Sequence, residues 1–223
     1  MRVSRILGVV LLVIASQASS GDRHMNGKLL CVGVFDEEYL KGASEGPWRA
    51  LCPATDGFAL RPTTVRMTAA PPLAGDNGPR PRRDVEALEC PNALVLIRLG
   101  SLTDGHVSTA FSGSFQLRPT AETVLEVGSS SYRLAARETH PHTLELVLRF
   151  HEIEQRISVV EGCCNDAYPT LLWAGDLDRD GKIDLLLDVT MHYALSKYTL
   201  VLSSQADDGN LVTEVAHFTS GSC

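Results

Sequence analysis

Apolar and polar positions alternate with a period close to two along much of this chain. In residues 143–153, Leu144, Leu146, Leu148 and Phe150 fall on one side, with Glu145, Arg149 and His151 on the other. Side chains that alternate in this way belong to a half-buried β-strand, because successive residues of a strand point to opposite faces. Eleven further short apolar or alternating runs are bounded by Gly, Pro, Asp or Ser: 28–35, 58–68, 93–99, 107–111, 123–127, 131–136, 155–160, 170–173, 182–188, 199–203 and 211–218. Their length and spacing predict an all-β protein of antiparallel strands, sandwich or barrel-like. The best candidate for a turn of helix is 36–41. Pro and Gly crowd residues 69–81, so a long surface loop is expected at about 69–83, within a single domain covering 19–223.

The first twenty residues have another pattern. Arg2 and Arg5 precede an almost unbroken apolar run at 6–14, and Ala15-Ser16-Gln17-Ala18-Ser19-Ser20 supplies small residues at cleavage spacing. That arrangement predicts a secretory signal peptide over 1–18, cut after Ala18. The run is shorter than the roughly 20 residues that span a bilayer, and no second one follows, so the mature chain is expected to lack a transmembrane segment and to be exported, to a periplasm or beyond the cell. Composition agrees with a packed domain: 44% of the 223 residues are hydrophobic and 21% charged. Twenty basic residues face 27 acidic ones, and loss of the two leader arginines leaves 18 against 27, a formal charge of −9. Such a surface repels phosphate backbones, and the one dense basic cluster, Arg80, Arg82 and Arg83, is interrupted by Pro81, so nucleic-acid binding is excluded and a solvated loop expected there.

All six cysteines, Cys31, Cys52, Cys90, Cys163, Cys164 and Cys223, lie in the exported part, where an even number implies a disulfide framework. Fifteen pairings are compatible with six cysteines. The adjacent Cys163 and Cys164 are expected to reach different partners. No C-x-x-C occurs, which argues against a redox or soft-metal centre.

The most informative stretch is Trp173-Ala174-Gly175-Asp176-Leu177-Asp178-Arg179-Asp180-Gly181-Lys182-Ile183-Asp184, followed by Leu185-Leu186-Leu187-Asp188. Asp176, Asp178, Asp180 and Asp184 occupy positions one, three, five and nine of a loop whose sixth position is Gly181. Ca²⁺ takes about six to eight hard oxygen ligands, and carboxylates at alternate positions of a curling backbone converge on one ion. Gly181 permits the sharp turn, and the main-chain carbonyl of Lys182 then points inward. An EF-hand loop is ruled out, since its twelfth position is Leu187 rather than Glu and its flanks read as strands. The segment resembles the calcium loop of integrin-type FG-GAP and VCBS repeats, D-x-D-x-D-G-x-x-D followed by an apolar strand. The resemblance implies a Ca²⁺ site between two strands, with Arg179 standing where that family often has Gly. It covers residues 175–188 alone, and a propeller built of several such repeats is not expected.

Other motifs carry less. Gly42-Ala43-Ser44-Glu45-Gly46 fits the G-x-S-x-G nucleophile elbow literally, but no buried strand precedes it and Pro47-Trp48 replaces the following helix. His151-Glu152-Ile153-Glu154-Gln155 lacks the second His of H-E-x-x-H, and His140, His142 and His151 are a weak zinc set. His192 and Tyr193 lie just past the calcium loop's strand. The leading expectation is an exported, disulfide-stapled β domain with one structural Ca²⁺ site, acting as a binding or envelope-associated module toward a protein or carbohydrate at the cell surface. The alternative is a secreted or periplasmic hydrolase with acidic residues near 176–188 as its workplace and no recognisable catalytic motif.

Overall fold

A computed structural model describes residues 27–43, 45–73, 80–161, 168–190 and 195–221. Residues 1–18, where a signal peptide is expected, and Ser44, Cys163, Cys164, His192, Tyr193 and Cys223 lie outside them. In chain order the strands are β1 (Lys28–Leu30), β2 (Gly33–Asp36), β3 (Trp48–Ala54), β4 (Gly57–Thr63), β5 (Val65–Leu73), β6 (Arg80–Ala87), β7 (Val95–Arg98) and β8 (Gly105–Gln116). They continue as β9 (Glu122–Val127), β10 (Ser130–His140), β11 (Thr143–Phe150), β12 (Ile153–Glu161), β13 (Thr170–Asp176), β14 (Asp184–Asp188), β15 (Leu195–Leu202) and β16 (Thr213–Gly221). The helical turn expected at 36–41 is a 3₁₀ turn, Glu37–Leu40.

Nine strands form one antiparallel, barrel-like sheet in the order β1-β7-β3-β4-β8-β13-β14-β15-β16. The first and last strands nearly close it, since the Gly27 amide donates to the Val215 carbonyl at 3.2 Å. A Cβ on Gly27 would sit 2.9 Å from that oxygen and 3.2 Å from the Ala216 Cβ, so only glycine allows the seam this approach. A four-stranded meander, β12-β11-β10-β9, and a three-stranded sheet, β2-β6-β5, complete the structure.

Two cores follow. One gathers Leu30, Leu51, Leu60, Leu96, Ile97, Val107, Trp173, Leu186, Leu200 and Phe218 from the nine-stranded sheet, with Val85 and Ala87 of β6. The other joins Leu134, Leu144, Leu146 and Leu148 of the meander to Leu171, Ala174, Leu185, Leu187 and Val201. β14 has no alternation because both its faces are covered: Leu186 enters the first core, Leu185 and Leu187 the second. A bulge between Leu171 and Trp173 lets β13 send side chains to both cores in the same way.

Several boundaries differ from the sequence expectation. The run 28–35 breaks at Cys31 into β1 and β2, which join different sheets, and 58–68 breaks at Thr64 into β4 and β5. The long loop expected at 69–83 is in large part a hairpin: β5 pairs with β6, and Pro71 and Pro72 fall where the register shifts, on the outer strand of the small sheet. There their missing N–H groups interrupt little pairing. Arg80, Arg82 and Arg83 are accordingly strand residues rather than a solvated loop, with Arg80 and Arg82 each 3.6 Å from Asp36 and Arg83 3.1 Å from Glu37. Cys52 of β3 is bonded to Cys90 across 38 residues, with Cα atoms 6.1 Å apart. Cys31 is a buried free thiol. No described helix is long and apolar enough to cross a membrane.

Candidate metal centre

The loop between β13 and β14 is hung between the two cores. Leu177 at its start is buried in the first and Ile183 at its end in the second, both 0% exposed. Ahead of it, Gly175 lets β13 press onto β8: a Cβ there would lie 2.1 Å from the Ser108 carbonyl oxygen and 2.6 Å from the Trp173 ring. At the apex Arg179 adopts a left-handed φ of 67°, the conformation a glycine would take freely. Its guanidinium offsets that cost by donating to the carbonyls of His106 at 3.1 Å and Asp104 at 2.9 Å, which ties the apex to the start of β8. Gly181 has a φ of 81° with open space around it, so glycine is needed there for conformation and not for room.

Carboxylate oxygens of Asp176, Asp178 and Asp184 lie within 4.8 Å of one another. Ca–O distances of about 2.3–2.6 Å put ligands on opposite sides of one ion at most about 5 Å apart, so this spacing accommodates a single cation. Asp184 is 0% exposed. Its Oδ2 accepts from the Leu177 amide at 2.7 Å, and its Oδ1 from the Ser203 amide at 2.9 Å and hydroxyl at 3.1 Å. Burial, reinforced by the charge of Asp178, pushes the Asp184 carboxyl up to about 8. Asp178 is also raised, chiefly by burial, with Asp180 and Asp176 adding repulsion. One oxygen of Asp176 accepts from the Gly181 amide at 3.0 Å; the other, Oδ1, is buried and has no partner within the protein. An orphaned buried acceptor costs about 1–3 kcal/mol. A cation at the centre would supply its partner and neutralise the repulsion. All the donors here are hard oxygens, the set that suits Ca²⁺ or Mg²⁺ rather than a soft metal.

Asp180 is not in that triad. Its carboxylate accepts from the Ser203 hydroxyl at 3.1 and 3.0 Å and from the Lys182 amide at 2.8 Å. The contribution expected of Lys182 is its carbonyl; the contact seen here is its amide, which donates to Asp180. Two residues that the spacing could not reveal also enter the centre. Ser203 bridges Asp180 and Asp184, and the Ser204 hydroxyl donates to Asp178, both from the connection between β15 and β16. No local signal marks them, since they lie 19 and 26 residues from the carboxylates they meet. Tyr132 of β10, stacked on Phe150, meets the main chain of Ile183 beside Asp180 and Asp184, so the meander also borders the loop.

No family model, curated protein or solved structure matches this chain. The reading of the centre therefore rests on its geometry. The other candidate residues do not converge. His142 and His151 occupy the turns at opposite ends of the eight-residue β11, nine residues and about 30 Å apart at the usual strand rise, too far to share a zinc ion. The G-x-S-x-G segment runs from a 3₁₀ turn into β3, not from a strand into a helix. Burial pushes the Cys31 thiol up to about 12, the opposite of a reactive thiolate.

Proposed function

We propose that this chain is an exported β domain whose loop 176–184 binds Ca²⁺, with the carboxylates of Asp176, Asp178, Asp180 and Asp184 and the carbonyl of Lys182 as ligands, in the manner of an FG-GAP or VCBS loop. One observation carries the reading: the fully buried Asp184 shares its space with Asp178 and with an unpartnered oxygen of Asp176. Three carboxylates this close are unfavourable together without a cation.

The ion's role in this reading is structural. Through Ser203 and Ser204 the loop holds the connection between β15 and β16, and through Tyr132 it meets the meander, so calcium reinforces a junction that Gln155 of β12 already ties by hydrogen bonds to the main chain of Leu211 and Val212. Extracellular calcium modules bind at about 10⁻⁴ to 10⁻³ M, a range in which such a site fills outside the cell and stays empty at resting cytosolic calcium. Basic and small residues at the chain's start, together with the Cys52–Cys90 bond, support export. Display of a surface for a protein or carbohydrate of the cell envelope is the role that fits such a domain.

Titration calorimetry with CaCl₂ and MgCl₂ on the wild type and Asp178→Ala tests the site. The expected result is one-site calcium binding that the variant loses. Absence of calcium heat in the wild type would sink the reading. For export, sequencing the amino terminus of protein recovered outside the cytoplasm should begin at Ser19.

A further inference from the structure

A second site lies at the seam where the nine-stranded sheet nearly closes, away from the acidic loop. A cavity of about 320 Å³ opens there, lined by Lys28 and Leu29 of β1, His217 and Phe218 of β16, Tyr39 and Lys41 of the 3₁₀ segment, and Trp48 at the start of β3. That volume is at the small end of the range for ligand sites, about 300–1,000 Å³.

Its electrostatics are unusual for this molecule. The chain carries 27 acidic residues against 20 basic ones. Yet Lys28 and Arg98 are direct cross-strand partners, a like-charge pair that destabilises an antiparallel ladder. The Lys28 ammonium is folded against the backbone beside Lys41: a Cβ on Gly42 would lie 2.8 Å from its Nζ. Arg98 stands over the Trp48 ring at 5.3 Å and donates to the Glu45 carbonyl. Lys28 and Lys41 thus both line the cavity, Arg98 lies behind them on Trp48, and among the described residues none of the three is ion-paired with a carboxylate. The acid that reaches the lining, Glu214, is already engaged by His217 Nδ1 at 2.7 Å and Lys197 Nζ at 3.9 Å. That contact occupies one ring nitrogen of His217 and leaves Nε2 for another partner. The lining also has an apolar part, formed by the buried Leu29, Trp48 and Phe218.

Two unpaired ammonium groups beside an aromatic floor select an anion with an apolar body. We infer that this cavity binds a small organic carboxylate, its acidic group held between Lys28 and Lys41 and its body against Trp48. The Tyr39 hydroxyl, which a Cβ on Gly221 would approach to 2.8 Å, stands at the rim as an additional donor. Nothing in this inference depends on the metal centre.

The test is a titration of the full exported chain, disulfide intact and in calcium-containing buffer, with sodium benzoate and separately with sodium sulfate at constant ionic strength, followed by calorimetry and by tryptophan fluorescence. Both tryptophans are buried in the first core, but of the two it is Trp48 that lines the cavity, so a signal that saturates reports on Trp48. Benzoate should saturate one site. Lys28→Gln with Lys41→Gln should weaken it at least tenfold at an unchanged melting temperature, and Arg61→Gln, an exposed residue of β4, should leave it unaltered. Sulfate that competes with benzoate identifies the anionic group as the feature recognised; sulfate that fails to compete shows that the apolar body is needed as well. The inference is overturned if benzoate does not saturate, whether or not sulfate does, or if the double variant binds benzoate as the wild type does. Should the double variant not fold, Lys28→Met and Lys41→Gln are titrated singly, and unchanged affinity in both overturns it equally.

Discussion

Asp184→Asn separates a metal centre from an acidic turn. The side chain is fully buried and accepts three hydrogen bonds, from the Leu177 amide and from the Ser203 amide and hydroxyl. Asparagine keeps the shape but turns an NH₂ toward one of these donors, which costs about 1–3 kcal/mol. Removal of a buried charge beside Asp178 offsets part of that loss. Calcium acts differently on the two proteins. At 10 mM and a dissociation constant near 10⁻⁴ M, the ion stabilises the wild type by about 2.7 kcal/mol. A domain of this size gains about 2–4 °C per kcal/mol, so the wild-type melting temperature should rise by about 5–11 °C between EDTA and calcium. The variant should show no rise. Asp188→Asn is the matched control, an aspartate at the other end of β14 that accepts from the Thr190 amide and hydroxyl, and it should keep the full response. Scanning calorimetry of the three proteins decides the matter: superimposed wild-type curves, or a calcium response that survives in Asp184→Asn, would refute the assignment.

Three more outcomes are expected. In EDTA the Asp184 contribution to wild-type stability should be complete below about pH 4 and be lost as the pH climbs toward 8, because its carboxyl, pushed up to about 8, holds its proton in the folded state over a window where the unfolded chain has released it. At 1.36 kcal/mol per pH unit the loss reaches about 5 kcal/mol; it should be absent from Asp184→Asn and suppressed by calcium, and melting curves from pH 4 to 9 that run parallel in all three conditions would contradict it. Replacing both Cys52 and Cys90 by Ala removes a cross-link over 38 residues and should lower stability by about 4 kcal/mol in urea unfolding; a loss under about 1 kcal/mol would show that the bond constrains little. Gly175→Ala drives a methyl group to 2.1 Å from the Ser108 carbonyl, so β13 must shift from β8; a loss of about 3 kcal/mol and weakened calcium binding are expected, and wild-type values for both would show that the approach is not needed.

Much of the fold was legible because strands announce themselves locally. The alternation of Leu144, Leu146, Leu148 and Phe150 marks β11, and the unbroken Leu185-Leu186-Leu187 marks a strand covered on both faces. β3 and β6 had no such mark. β3 is buried at Trp48, Ala50, Leu51 and Cys52 without alternation, and β6 is polar along most of its length, its arginines facing Asp36 at the end of β2 and Glu37 of the 3₁₀ turn. Pro71 and Pro72 suggested a loop, and the outer edge of a small sheet tolerates them.

The same division holds for the sites. Asp176, Asp178, Asp180, Gly181 and Asp184 are contiguous, and the spacing of ligands around one ion is a property of a short stretch of backbone, so the sequence alone determines where a cation could sit. It could not show that Asp180 turns to Ser203, that Ser204 meets Asp178, or that Asp184 is fully buried between two cores. It was equally silent on the convergence of Lys28, Lys41 and Arg98 with Trp48 and His217, residues drawn from both ends and the middle of the chain. Those facts depend on strand order and on the near-closure of β1 against β16. Pairings between residues far apart in sequence are settled by which apolar faces can be buried together, a property of the whole chain that no local pattern carries.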